Sequence, residues 1–144
     1  MSANNILKSL TDTAFDSIEG YRKAAEKAND PQLKQALQQR CQQREQTVSK
    51  LNNEIRNQGG ELVTKGTMTG EAHQLWIGIT DAFESGDKAA AERVEEGEDY
   101  IKSKFANALE NDDLDAGSRT VVQQAYAEIC EGERFGDMIE SQQS

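Results

Sequence analysis

The chain has one proline, two cysteines and one histidine among 144 residues. With Pro31 alone, and few Val, Ile and Thr against many Ala, Gln, Glu, Lys and Leu, the composition favours helix over strand. Cys41 and Cys130 form no CxxC pair, so they indicate buried thiols in a reducing compartment rather than a metal or redox motif. We therefore expect an all-α protein without a disulfide framework.

Long apolar runs are also missing. Nowhere do about 18 apolar residues follow one another, and the segment MSANNILKSL (1–10) has no apolar signal-peptide core. The formal net charge of -10 repels phosphate backbones and anionic lipid headgroups. We expect a single cytoplasmic domain of 144 residues that binds neither nucleic acid nor a membrane surface.

Apolar residues recur at steps of three and four over most of the chain, which predicts four long helices. The expected bounds are 4–28, 31–58, 87–111 and 117–140, with a short helix at about 70–84. The triplet Asn29, Asp30 and Pro31 separates the first two helices by a tight turn, and Asp87 is expected to cap the third. Two antiparallel helical hairpins joined by a long crossover define a ferritin-like four-helix bundle.

Five stretches resemble a bacterial family of uncharacterised ferritin-like four-helix proteins, the domain of unknown function numbered 2383. They are DSIEGYRKAAE (16–26), NDPQLKQAL (29–37), GGELVTKGTMTGEAHQLW (59–76), DKAAAERVEEGED (87–99) and QQAYAEI (123–129). The resemblance covers nearly the whole chain and implies a fold rather than an activity. The wider ferritin-like group implies a di-iron site, which these residues must support one by one.

A di-iron bundle needs a glutamate from each of two helices and a Glu-x-x-His motif on each of the others, because that spacing aims both groups at one metal pair. The only histidine, His73, falls in the crossover segment. We interpret it as a half-exposed polar residue beside Trp76, since a lone imidazole defines no site. No cofactor is predicted.

The most acidic stretch, RVEEGEDY (93–100), lies on the third long helix. A turn of about 100° per residue points Glu96 and Asp99 away from the apolar stripe, as it does Glu92, and leaves Glu95 at the edge. Glu98 falls within the stripe. We expect Glu92, Glu96 and Asp99 to be solvated and Glu98 to point inward.

Two other helices also bring charges to their apolar stripes. Arg44 lies within the stripe of the second helix, and Arg40 lies at its margin. On the last helix, Glu133 continues the line of Ile129 between Gly132 and Gly136. Glycine inside a helix costs about 1 kcal/mol against alanine, so two glycines here indicate room for a large partner.

Arg44, Glu98 and Glu133 fall within roughly 8 Å of one another along the predicted bundle axis. We expect them to form an internal ionic network with Arg40, and with Tyr21 or Arg22 nearby, where relatives of this fold hold iron. In the alternative interpretation the charged ends extend to water. Glu128 and Glu131 are expected to be surface acids, and Tyr21, Tyr126 and Trp76 core residues.

Three functions are compatible with this pattern. The preferred one is a non-enzymatic bundle with an interaction or stress-related role, as a homodimer through an exposed helix face, since no catalytic constellation is visible. The second is an Fe or Mn protein using Glu95, Glu98 and Glu133, which the adjacent arginine opposes. The third binds a small anion at Arg44 in a pocket near Trp76.

Overall fold

The computed structural model describes residues 3–64 and 71–143, without the side chains at 71–73, 75, 79, 80, 133 and 135–143. The described residues are mostly helical, with no strand among them. The helices are α1 (Ala3–Lys27), α2 (Pro31–Asn57), α3 (Glu71–Ala82), α4 (Asp87–Leu109) and α5 (Ala116–Gln143), and a short 3-10 helix spans Phe83–Ser85. No helix in the described ranges is long and apolar enough to span a bilayer.

The turn between α1 and α2 depends on side-chain caps. The Asp30 carboxylate accepts a hydrogen bond from the Gln32 N–H at 2.9 Å, and Pro31 occupies the first turn of α2. The Asp87 carboxylate accepts from the backbone N–H groups of Asn29 and Asp30, at 3.2 and 2.9 Å. Asp87 is the first residue of α4, and Gly86 is the N-cap. The expectation that Asp87 caps its own helix was wrong, because its carboxylate binds the α1–α2 turn instead.

The connection from α2 to α3 begins at Gly59, whose φ of 79° lies in the left-handed region that glycine adopts at low cost. The Asn52 side chain then fixes the connection to α2. Its amide group donates to the Val63 carbonyl and its oxygen accepts from the Val63 N–H, both at 2.9 Å. After α3 and the 3-10 helix, Gly86 has a φ of 111°, which lets the chain turn into α4.

The helices α1 and α2 pack against each other, as do α4 and α5. The α2 helix also packs on α5, and α3 lies against both α1 and α4. Hydrogen bonds join Gln58 to Ser118 at one end of the α2–α5 contact and Arg40 to Glu128 nearer the other, so these two helices are antiparallel. The crossover therefore returns along the length of the molecule.

The last helix extends further than expected. The sequence predicts an end near 140 with a frayed tail, but α5 continues to Gln143. Glutamate and glutamine are good helix formers, and no proline follows Gly136 to stop the helix.

The single tryptophan packs α3 onto the rest of the fold. Trp76 is buried, and its indole ring lies so close to the backbones of Gly20 in α1 and Gly97 in α4 that a Cβ on Gly20 would overlap it. A Cβ on Gly97 would come within 3.0 Å of the ring. The expectation of a core role for Trp76 is therefore confirmed, and the two glycines form the slot that it fills.

Burial of Asp16 in α1 makes stability depend on pH. Burial first, and then the charges of Asp12 and Glu19, raise the pKa of Asp16 to about 7. The folded pKa lies above the unfolded one. The contribution of Asp16 to the free energy of unfolding is therefore fully present below about pH 3.8 and is lost as the pH rises through about 7.

We therefore expect Asp16→Asn to be more stable than the wild type at pH 8, by on the order of 1–2 kcal/mol, and to lose most of that advantage by about pH 4. Urea unfolding of both proteins at the two pH values measures this difference. Glu19→Gln, which removes a more exposed carboxylate of the same helix, should change the pH dependence less. Parallel pH curves for the Asp16 variant and the wild type would contradict the assignment.

Candidate functional site

The buried face of α2 carries charges among apolar residues. Its buried positions follow one another at helical spacing and are Leu33, Leu37, Arg40, Cys41, Arg44, Thr47, Val48, Leu51 and Ile55. Arg44 has no exposed surface and is among the largest fully buried side chains. The helical phase therefore places a guanidinium group inside the protein, as the sequence predicts.

Every N–H of the Arg44 guanidinium has an acceptor. The Glu98 carboxylate accepts from Nη1 at 3.0 Å and from Nη2 at 2.6 Å. The Glu128 carboxylate accepts from Nε at 2.7 Å and from Nη2 at 3.1 Å, and the Ser17 hydroxyl accepts from Nη1 at 2.9 Å. These are five bonds for the five donors of arginine. Arg44 is thus held by α1, α4 and α5 at once.

Glu128 is saturated as well. Oε1 accepts from Arg44 and from the Thr47 hydroxyl at 2.8 Å, and Oε2 accepts from Arg44 and, at 2.5 Å, from Arg40 Nη2. Arg40 also donates to the Glu128 carbonyl at 3.0 Å and to the Gln43 side chain. We call Arg40, Arg44, Glu98 and Glu128 the ionic network.

The ionic network contains two cations and two carboxylates, so its formal charge is zero. Burial alone would raise the pKa of Glu128, but the charge and hydrogen bonds of Arg44, with those of Thr47 and Arg40, hold it below its usual value. Burial alone would likewise lower the pKa of Arg44, but Glu98 and Glu128 raise it well above its usual range. Both groups therefore remain charged at neutral pH.

Tyr21 lies against the ionic network through its ring. The Arg44 guanidinium carbon is 5.8 Å from the ring centroid, within the range of a cation–π contact. The Tyr21 and Trp76 ring centroids are 5.1 Å apart. Burial, and then the charge of Glu98, raise the pKa of Tyr21 well above its usual value, so its hydroxyl stays neutral.

Gly132 supplies the space for the ionic network on α5. A Cβ at this position would overlap Glu98 Oε2 and would lie 2.9 Å from Arg40 Nη2 and 3.2 Å from Arg44 Nη2. The expectation that a glycine here leaves room for a large partner therefore has a structural basis, although the groups that fill the space come from α2 and α4.

Gly132→Ala should lower the free energy of unfolding by about 1–3 kcal/mol, because the ion pairs leave the crowded side chains no easy shift. Gly78→Ala is the matched control, since a Cβ on Gly78 meets nothing within 4 Å. That variant should gain up to about 1 kcal/mol from helix propensity. Chemical denaturation of the two variants gives the comparison, and equal effects would show that Gly132 is not crowded.

Four of the predicted network residues come together, namely Arg44, Glu98, Arg40 and Tyr21. Arg22 does not join them. Its side chain is 58% exposed and lies 3.8 Å from Glu45 on the surface, because the phase that turns Tyr21 inward turns the next residue outward. The Glu133 side chain, expected in the network, lies outside the described residues, as does that of His73.

The expectation that Glu128 is a surface acid was wrong. Its side chain is only 13% exposed and pairs with both arginines. The predicted α5 line ran through Val122, Tyr126 and Ile129. In the structure Val122 and Ile129 are buried, but Tyr126 is only half-buried and the buried face also includes Ala125 and Gly132. Glu128 lies between the small residues Ala125 and Gly132. Their seven-residue spacing was the sequence signal that could have indicated its burial.

The described acidic side chains are poorly placed to bind a metal. Among them, no three His, Cys, Asp or Glu side chains are arranged to hold an ion. Of the alternative set Glu95, Glu98 and Glu133, Glu98 is engaged by Arg44, and the Glu95 side chain is only half-buried. The carboxylates present face a guanidinium, so a di-iron centre does not fit here.

The two cysteines are unpaired with each other, and Arg44 offers no site for a small anion. Cys41 and Cys130 are free thiols, and burial together with Glu45 raises the pKa of Cys41 to about 11. Arg44 has no donor left for a small anion in this arrangement, and Trp76 fills the adjoining slot.

Fold and site together define an all-α protein with a buried, charge-neutral arginine–glutamate network. The chain belongs to the family described as domain of unknown function DUF2383, whose model matches residues 2–111. That range includes Arg40, Arg44 and Glu98 and ends before Glu128. Searches of curated proteins and of solved structures each gave no match.

Proposed function

We propose that this protein is a non-enzymatic, ferritin-like four-helix bundle in which the ionic network replaces a di-iron site. Its cellular role is then an interaction or a stress-related structural task carried by its surface. The architecture is supported by the helix contacts, since α1 with α2 and α4 with α5 form two hairpins and the long connection places α2 beside α5 in opposite directions.

One observation carries the proposal: Arg44, fully buried, is bonded through all five N–H groups to protein acceptors. A guanidinium cannot lose its proton in a protein, so the positive charge at this position is permanent. It repels metal cations and occupies the carboxylate oxygens that would otherwise bind them.

Elemental analysis of protein produced with added iron and manganese tests the proposal. We expect far less than one metal ion per chain. Glu98→Gln and Glu96→Gln are the matched variants, because Glu98 is buried in the network and Glu96 lies exposed beside Arg93. Stoichiometric metal that falls in Glu98→Gln but not in Glu96→Gln would favour the carboxylate metal protein instead.

The homodimer expected from the sequence also belongs to this proposal. Sedimentation equilibrium at several concentrations tests it, because a dimer through a helix face dissociates by mass action. If the measured mass is that of one chain at every concentration, the homodimer is wrong. The proposed interaction would then be with a different partner.

A further inference from the structure

The contact between α2 and α5 is polar at the level of the ionic network. On α2 it is made by Arg40, Arg44 and Thr47, and on α5 by Glu128 and Gly132. We call these five residues the α2–α5 seam. At this level the seam depends on charged hydrogen bonds, whose strength requires both partners to keep their charge.

On one side the seam borders a cleft that is lined by Glu128. A cleft of about 220 Å³ lies outside the seam, and its lining includes Gln43, Thr47, Lys50, Glu128 and Glu131. Glu128 is the most exposed carboxylate of the network, at 13%, whereas the side chains of Arg44 and Glu98 are fully buried. A proton from solvent therefore meets Glu128 first.

We propose that the α2–α5 seam is an acid-sensitive closure, which parts locally when Glu128 is protonated while the Trp76 side of the fold stays packed. This inference concerns a conformational property of the network and does not depend on the cellular role proposed above.

The charges around Glu128 explain why its protonation should open the seam. The charged or titratable groups that the described residues bring towards Glu128 are Arg40, Arg44 and Lys50 from α2, Glu98 from α4, Glu131 from α5 and Tyr21 from α1. Protonating Glu128 leaves two permanent cations facing one buried carboxylate, Glu98. An unpaired buried charge is strongly unfavourable, and the cleft that Glu128 and Thr47 line offers a route to water.

The sign of the pH dependence follows from Glu128. Its folded pKa is below the usual value of 4.5, so its contribution is fully present above that pH and is lost as the pH falls through the lowered value. The closure should therefore hold at neutral pH and open in acid.

Trp76 reports on the opposite side of the ionic network, because it is the only tryptophan and packs between Gly20 of α1 and Gly97 of α4. Its ring centroid lies 5.1 Å from that of Tyr21, which is not a residue of the seam. Native hydrogen exchange of the wild type, followed from pH 7 downward as far as the protein stays folded, is the first measurement. We expect protection factors to fall about tenfold or more in residues 40–47 and 125–132, but not in 7–13 and 101–107, with unchanged Trp76 emission.

Glu128→Gln at pH 7 is the second measurement, with Glu131→Gln, which changes an exposed cleft residue, as the matched control. We expect the first variant alone to show the faster exchange at the seam. Should Glu128→Gln fail to fold, the wild-type acid series still decides. Unchanged seam exchange in acid, or a loss of protection at both sides with a red shift of Trp76, would overturn the inference.

Discussion

Replacing Arg44 with alanine is expected to lower the free energy of unfolding by about 3–5 kcal/mol. The change removes the guanidinium from both carboxylates. Glu128 keeps its bonds to Arg40 and Thr47, whereas the fully buried Glu98 loses both hydrogen bonds that Arg44 donates to it. Leaving a buried charge unpaired costs far more than the intact pair contributes, because desolvation of the ions is already complete. Urea titration at neutral pH measures the change.

Arg22→Ala provides the control for Arg44→Ala, since it removes the same side chain from the surface of the neighbouring helix. It should cost less than about 1 kcal/mol, as exposed ion pairs do. Adding Glu98→Gln to Arg44→Ala should recover part of the loss, because the buried carboxylate left without its arginine becomes neutral. A loss below about 1 kcal/mol for Arg44→Ala would mean that Arg44 is solvated.

Trp76→Ala should cost about 3–5 kcal/mol, the second large effect. The indole lies between two glycine backbones, which have no side chains to move into the space it leaves. A cavity then remains beside the Tyr21 ring, and α3 loses a buried anchor. Ile77→Ala is the control, because Ile77 is 44% exposed and its truncation should change stability little.

A double-mutant cycle with Gly20→Ala tests the slot itself. In the wild type the new methyl group overlaps the indole, so Gly20→Ala should be destabilising. In the Trp76→Ala background the same methyl group enters the cavity and should be neutral or stabilising. Additive effects would show that Gly20 and Trp76 do not share one space.

Most of the helical pattern could be predicted because local chemistry determines it. Proline cannot continue a helix, so Pro31 fixed the first boundary, and Gly59 fixed the end of α2 through its left-handed conformation. Asp87 shows the limit. An aspartate before a helix usually caps it, but the acceptor here serves backbone groups 57 and 58 residues away, which no local pattern shows.

The candidate site was likewise predicted only in part. Helical phase alone placed Arg44 and Glu98 inside, because each is surrounded in sequence by apolar neighbours at steps of three and four. Glu128 was missed because its burial comes from α2, which packs over the edge of the α5 stripe. An edge residue becomes interior only when a neighbouring helix covers it, and one sequence does not show how two helices are rotated against each other.

Nitrogen-detected NMR of the arginine side chains tests the central claim most directly. With all five donors bonded, Arg44 should show separate, slowly exchanging Nη–H signals that disappear in Arg44→Lys and do not shift when iron or manganese is added. Exposed Arg22 should show averaged signals in the same spectrum. An averaged, rapidly exchanging Arg44 signal would contradict the account, as would broadening of that signal by a stoichiometric paramagnetic metal.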